Sequence, residues 1–321
     1  MKVYHYFALF DFDETIGKTF EPNKSGVDVT QAYKIACGQI FQCPVFEQVG
    51  GLKNGTPGEL VHAILNTNKK DMLMTAALDY LDRECRDNLN GHVQLKADTD
   101  TLTVITELLI RVKLRLLMAQ IGTPCKDGSL WPNSCQGFTL LWRTILAFNK
   151  ACSAVKIVPG IISSGHDSFI RECFKMWGLS EPPLMVTDDT MRSVACNHLS
   201  MAERVKPQVG PARILCKQWL NQQGASMGDY DDPLSCIQGH GFYGGDNLAI
   251  DGTLARNLGL PFFWFNQDGK HPVSSEKEDG LIVQIRNWQK IVSLLLMGKK
   301  GVNMMTAGLP FAQMVPELFP S

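Results

Sequence analysis

Asp11 and Asp13 stand at the end of an unbroken aromatic and aliphatic run, Val3 to Phe10, and Thr15 follows them. Side chains of an extended segment alternate between its two sides, so both carboxylates point one way while Phe10 and Phe12 point the other. Two acids at the tip of a buried strand are costly without a partner, the plain alternative being a loop-capping role. Similar tips recur along the chain. Ser163, Ser164 and Gly165 follow the apolar run Val155 to Ile162; Gly244, Gly245 and Asp246 close another, with Asp251 in the next helical stretch. Lys206-Pro207 lies between these two tips, after a polar loop. In an open parallel sheet, ligands gather at the carboxyl ends of the strands, which makes these acids, hydroxyls and the lysine candidates for one site.

The segments carrying these residues resemble the haloacid dehalogenase (HAD) superfamily of aspartate-nucleophile phosphotransferases. Phe-Asp-Phe-Asp-Glu-Thr, ending at Thr15, resembles that superfamily's DxDxT first motif; Ile-Ile-Ser-Ser-Gly, ending at Gly165, resembles the second; Val205-Lys206-Pro207 resembles the third; and Gly-Gly-Asp-Asn-Leu-Ala-Ile-Asp, ending at Asp251, resembles the acidic fourth. A lone DxD would carry little weight. Here the motifs also occur in the family's order, and the likeness covers the whole core, about half the chain.

The resemblance implies an α/β fold, a Rossmann-like three-layer core with a parallel sheet, plus an all-helical cap domain. It also implies roles. Phosphate monoesters hydrolyse so slowly that enzymes accelerate the class by up to ~10²¹-fold, which calls for both a positioned nucleophile and strong charge stabilisation. Asp11 is the expected nucleophile, and Asp13 the expected acid and then base. Asp11, Asp246 and the Asp13 backbone carbonyl would hold Mg²⁺, with Asp251 as a further acid acting directly or through water. Ser163, with Ser164 as the alternative in the same turn, would bind a phosphoryl oxygen together with the Gly165 backbone. Lys206 would neutralise charge on the transferring group, and Thr15 would help order the first loop beside the phosphate.

Within the superfamily that the chain resembles, retention of the second acid, here Asp13, implies a Mg-dependent phosphatase. The alternatives are a phosphomutase, a phosphoprotein phosphatase (including phosphotyrosine), and a non-enzymatic binding protein on the same scaffold. Taken alone, Lys206 would be an ordinary surface lysine, and Asp251 a solvated or capping acid. His166 is expected as a helix-start histidine near solvent, while Arg111, Lys113 and Arg115 are expected to face water.

Positioning such a site needs strands that alternate with helices. Apolar residues at three- and four-residue spacing predict helices over 31–41, 57–65, 71–85, 101–120 and 138–152. Beyond residue 154, strands are expected over 155–162, 184–187, 241–244 and 261–265, and helices over 166–177, 210–222, 247–259 and 280–297. The expected organisation is a discontinuous core, 1–20 with 153–297, a helical cap over 21–152, and an unassigned tail over 298–321.

Composition narrows the remaining classes. The 321 residues carry 31 Lys plus Arg against 32 Asp plus Glu, with 45% hydrophobic residues, so fibrous and disordered chains are excluded and nucleic acid is not an expected partner. The stretch 102–121 is interrupted by Glu107, Arg111, Lys113 and Arg115, too charged for a transmembrane helix. Asp11 arrives before a signal-peptide core could develop. Ten scattered cysteines without a CxxC pair suggest reduced thiols, with Cys125 and Cys135 as the alternative of a loop disulfide. A cytoplasmic protein acting on a phosphorylated small molecule or phosphoprotein is expected.

Overall fold

The computed structural model describes residues 3–52, 56–87, 100–193, 196, 199–200, 202–224, 232–267 and 281–319. The chain divides into two compact units, one formed by residues 1–18 with 132–321 and the other by 19–131.

The first unit is built on a six-stranded sheet. Its strands are β1 (Tyr4–Phe10), β4 (Val155–Ile162), β5 (Leu184–Val186), β6 (Gly241–Gly245), β7 (Phe262–Phe265) and β8 (Ile282–Ile285). They lie in the order β5-β4-β1-β6-β7-β8, every neighbouring pair parallel. A parallel strand covered on both faces must be apolar on both, and this is why β1 reads as a continuous apolar run rather than an alternating one. Phe7 and Leu9 point into a cluster with Leu215, Trp219, Leu254 and Leu258. Those partners come from α8 (Gly210–Gln222), α9 (Thr253–Asn257) and the residue after it. On the opposite face Phe10 meets Phe138 and Trp288, with ring centroids 5.7 and 5.2 Å apart. The result is helix, sheet, helix: the expected α/β three-layer core.

The helix over 138–152, expected in the cap, belongs to this core. As α5 (Phe138–Ala151) it buries Phe138, Leu141, Trp142 and Ile145. Asn149 bonds both the carbonyl and the amide of Ile157 on β4, at 2.7 Å each. Its amphipathic stripe is thus spent on the sheet, which moves the boundary to Trp131/Pro132. A two-stranded ribbon, β2 (Gly17–Lys18) against β3 (Asn133–Ser134), lies beside that boundary within the core unit.

The expected helix over 280–297 is overturned in its first half; Gly280 itself lies outside the described residues. Ile282–Ile285 pairs with β7 as an edge strand, in keeping with the β propensity of Ile282 and Val283. Helix begins only at α10 (Gln289–Ile291) and continues as a wider turn over Val292–Leu296. The tail then forms α11 (Lys299–Thr306) and α12 (Phe311–Leu318). Phe311 and Phe319 pack on Phe242 and Phe263, at 5.3 and 5.0 Å, so the tail completes the core face that Phe10 shares.

The second unit gathers α1 (Val29–Phe41), α2 (Pro57–Leu65), α3 (Lys70–Asp87) and α4 (Thr101–Gln120) around Ala36, Ile40, Val61, Ile64, Leu109 and Val112. Asp28, Thr56 and Asp100 cap the first, second and fourth of these, each accepting a hydrogen bond from a first-turn amide. Lys113 does not face water as expected. It is buried against Tyr33, its Nζ donating to the phenol oxygen at 3.0 Å. Arg115 does lie at the surface, paired with Glu84. Among the described residues no helix is long and apolar enough to cross a membrane.

Candidate active site

Register brings the strand tips together. Phe10 is level with Ile161 on one side and with Gly244 on the other, so Asp11 comes level with the residues that precede Ser163 and Asp246. The Asp11 amide continues the ladder by donating to the Gly244 carbonyl at 2.8 Å.

Two glycines let the fourth motif approach. A Cβ on Gly245 would fall inside the Asp251 side chain, and one on Gly244 would strike the indole of Trp288. That indole donates from Nε1 to the Thr15 carbonyl at 2.8 Å and so pins the loop after Asp13. Thr15 itself is fully buried, and its hydroxyl donates to Asp246 Oδ1 at 3.3 Å. That bond orients the Asp246 carboxylate.

Lys206 ties the acids together. Its Nζ donates to Asp11 Oδ1 and to Asp251 Oδ1, both at 2.7 Å. The second Asp251 oxygen accepts from the Asn247 amide at 3.2 Å. Carboxylate oxygens of Asp11, Asp246 and Asp251 all lie within 4.8 Å of one another. Burial is the main reason the Asp11 carboxyl is raised well above its ordinary value; Lys206 opposes the shift, and the neighbouring acids add to it. Asp246 is pushed up to about 6, again chiefly by burial and then by the charge of Asp251. Burial disfavours the Lys206 charge too, but Asp11 and Asp251 overcome it and hold the ammonium firmly protonated. One physical fact explains all three directions: several carboxylates share a single buried cation.

Such an oxygen-only, over-acidic set fits a hard divalent cation, which would balance the surplus charge. A second group, His166 with Asp188 and Asp189, is different, because Arg192 already bonds both acids at 2.7 and 2.8 Å. Its cation is built in.

The second motif lies in the turn between β4 and α6 (Asp167–Met176). Ser163 is buried, and its Oγ accepts from the Gly165 amide at 2.9 Å, leaving its proton free to be aimed elsewhere. Ser164 is exposed. A Cβ on Gly165 would lie 3.2 Å from Ser163 Oγ and 3.7 Å from Asp13 Oδ2, so a bare glycine keeps the space between acid and hydroxyl open. The first amide of α6, on Asp167, is taken by Asp189 Oδ2 at 2.9 Å. His166 is buried, not near solvent as expected, with its Nδ1 2.9 Å from Asp189 Oδ1. Asp189 belongs to α7 (Asp188–Arg192), which has no expectation in the sequence reading because it is only five residues long.

No protein-family model matches the chain, and no curated protein matches it. Solved structures do. A HAD phosphatase from Thermococcus onnurineus is similar over 92% of this chain and 98% of its own, at 15% identity and a TM-score of 0.39. A 2-haloacid dehalogenase from Pseudomonas syringae pv. tomato covers 91% and 97%, at 15% identity and 0.41. A β-phosphoglucomutase from Clostridium difficile covers 89% and 92%, at 11% identity and 0.42.

The chain has a parallel α/β fold with the strand order β5-β4-β1-β6-β7-β8. The reaction must be argued from this chain's own side chains. Tyr243, Asp189 and Trp288 touch motif residues or their immediate neighbours without belonging to a motif, so no motif points to them. A phenol inside the apolar run Gly-Phe-Tyr-Gly-Gly was the available signal for the first. The other two are set by tertiary packing.

Proposed function

We propose that the protein is a Mg²⁺-dependent phosphatase that hydrolyses phosphate monoesters through an aspartyl-phosphate on Asp11. The observation that carries the reading is the Asp11–Lys206–Asp251 chain at 2.7 Å per link, with Asp246 alongside and with Asp13 and Ser163 both close to the bare face of Gly165. Asp11 and Asp246, with the Asp13 backbone carbonyl, are the residues that would hold Mg²⁺, and Asp251 is within reach of it. Bound there, the cation would offset the repulsion between an anionic nucleophile and an anionic phosphoryl group.

An Asp11 oxygen attacks phosphorus, and the bond from phosphorus to the substrate oxygen breaks as Asp13 gives that oxygen its proton. Asp13, now a carboxylate, takes a proton from water as the water attacks the same phosphorus. The bond between Asp11 and phosphorus breaks, inorganic phosphate leaves, and the Asp11 carboxylate returns. Lys206 and the Ser163 hydroxyl meet the charge that builds on the phosphoryl oxygens. Asp251 supports Lys206, and Thr15 aims Asp246.

The substrate class is a phosphorylated small molecule or phosphoprotein. A cytoplasmic location is part of the same proposal, supported by free thiols that include both Cys125 and Cys135. The test is p-nitrophenyl phosphate hydrolysis with and without Mg²⁺, on wild type and Asp11→Asn, followed by sugar phosphates, nucleotides and phosphopeptides. The proposal predicts turnover that needs both Mg²⁺ and Asp11. An Asp11→Asn protein within about tenfold of wild type would reject it.

A further inference from the structure

One hydroxyl under the site belongs to none of the motifs. Tyr243 lies fully buried on β6, three residues before Asp246. Its phenol donates to the carbonyl of Ile162 at 3.1 Å, and the same oxygen is 3.5 Å from Asp251 Oδ1. Ile162 ends β4 and immediately precedes Ser163. Asp251 Oδ1 is also the oxygen that accepts from Lys206. The single phenol proton therefore faces two acceptors at once, the Ile162 carbonyl and the carboxylate oxygen that Lys206 reaches.

A phenylalanine would keep the ring's stack on Phe262, 6.5 Å between centroids, without the desolvation cost of a buried hydroxyl. Packing therefore does not call for the oxygen, whereas the site does. We propose that Tyr243 is a positioning residue: its hydroxyl fastens the Lys206–Asp251 pair to the end of the strand that carries Ser163. The lysine charge and the serine hydroxyl are then held in fixed relation across one phosphoryl group. This inference rests on the phosphatase reading.

The variant is Tyr243→Phe, assayed with p-nitrophenyl phosphate at saturating Mg²⁺. A lost hydrogen bond to a charged network predicts a fall in kcat of about 10- to 100-fold with KM little changed. The control is Tyr6→Phe, which deletes a hydroxyl donating to the Leu309 carbonyl at 2.7 Å on the other face of the sheet. That variant should lower Tm and leave kcat within about twofold of wild type. In a Lys206→Met background, Tyr243→Phe should cost nothing further in kcat, because the group it positions is gone.

Should Tyr243→Phe fail to fold, Tyr243→Met supplies the same comparison with a side chain that adapts to the gap. A kcat within about twofold of wild type, an equal loss in Tyr6→Phe, or a full second loss in the Lys206→Met background would each overturn the proposal. A wild type without Mg²⁺-dependent turnover would instead reject the phosphatase reading, before any variant is compared.

Discussion

Replacing Asp246 by asparagine should stabilise the metal-free protein, although it removes a side chain assigned to the site. Asp246 is lifted from 3.8 to about 6 by burial and by the charge of Asp251. A carboxyl whose folded pKa is raised favours the folded state most below its unfolded pKa, and that advantage is lost as pH rises through the folded value. Roughly two pKa units at 1.36 kcal/mol each amount to about 3 kcal/mol of destabilisation once the group is ionised, above pH ~6. Asparagine carries no charge and can still accept from Thr15, which donates to Oδ1 at 3.3 Å. For a chain of this size, about 3 kcal/mol corresponds to a Tm rise of roughly 6–10 °C.

The assay is thermal unfolding of wild type and Asp246→Asn in a chelator, from pH 4.5 to 8. The variant should already melt slightly higher at pH 4.5, and the gap should widen up to about pH 6 and then level off. Adding Mg²⁺ should raise the wild-type Tm increasingly over the same interval, since binding requires the ionised carboxylate, and should leave the variant nearly unmoved. A variant that melts lower at pH 8, or a difference that does not change with pH, would refute the reasoning.

Other perturbations separate the parts of the site. Gly245→Ala forces a methyl into the Asp251 side chain, and should reduce both Mg²⁺-dependent turnover and Tm by displacing the acid that holds Lys206; steady-state kinetics and a melt report both. Ser163→Ala should raise KM for p-nitrophenyl phosphate and lower kcat by about 10-fold or more, whereas Ser164→Ala, at an exposed position, should change either by less than about twofold. Trp288→Phe leaves the buried Thr15 carbonyl without its 2.8 Å donor and should cost about 1–3 kcal/mol, read from urea unfolding, with a parallel loss of turnover.

Much of this was legible in the sequence because local and global signals agreed. The run from Tyr4 to Phe10, apolar on both faces, could only be a buried parallel strand, and its two terminal acids marked the tip that matters. Helices over 57–65, 101–120 and 210–222 carried both caps or prolines and an apolar stripe, and they appear with those bounds. What failed depended on partners far away in the chain. The stripe of Phe138, Leu141, Trp142 and Ile145 is the same whether a helix packs on other helices or on a sheet, so α5 was assigned to the wrong unit. Ile282–Ile285 is too short for its period to distinguish strand from helix until β7 lies beside it. Lys113 and His166 look like surface residues in sequence; Tyr33 and Asp189, 80 and 23 positions away, make their burial affordable.

The central claim is that Asp11 carries the phosphoryl group, and Asp13→Asn provides the direct test. p-Nitrophenolate leaves without needing a proton, so the variant should still transfer phosphoryl to Asp11 while lacking the base that activates water. Rapid mixing should give a burst of about one p-nitrophenolate per protein, and mass spectrometry of the acid-quenched digest should find one phosphoryl group on the Asp11 peptide. Absence of the burst together with an unmodified Asp11 peptide, or a phosphoryl group on any other residue, would contradict the account.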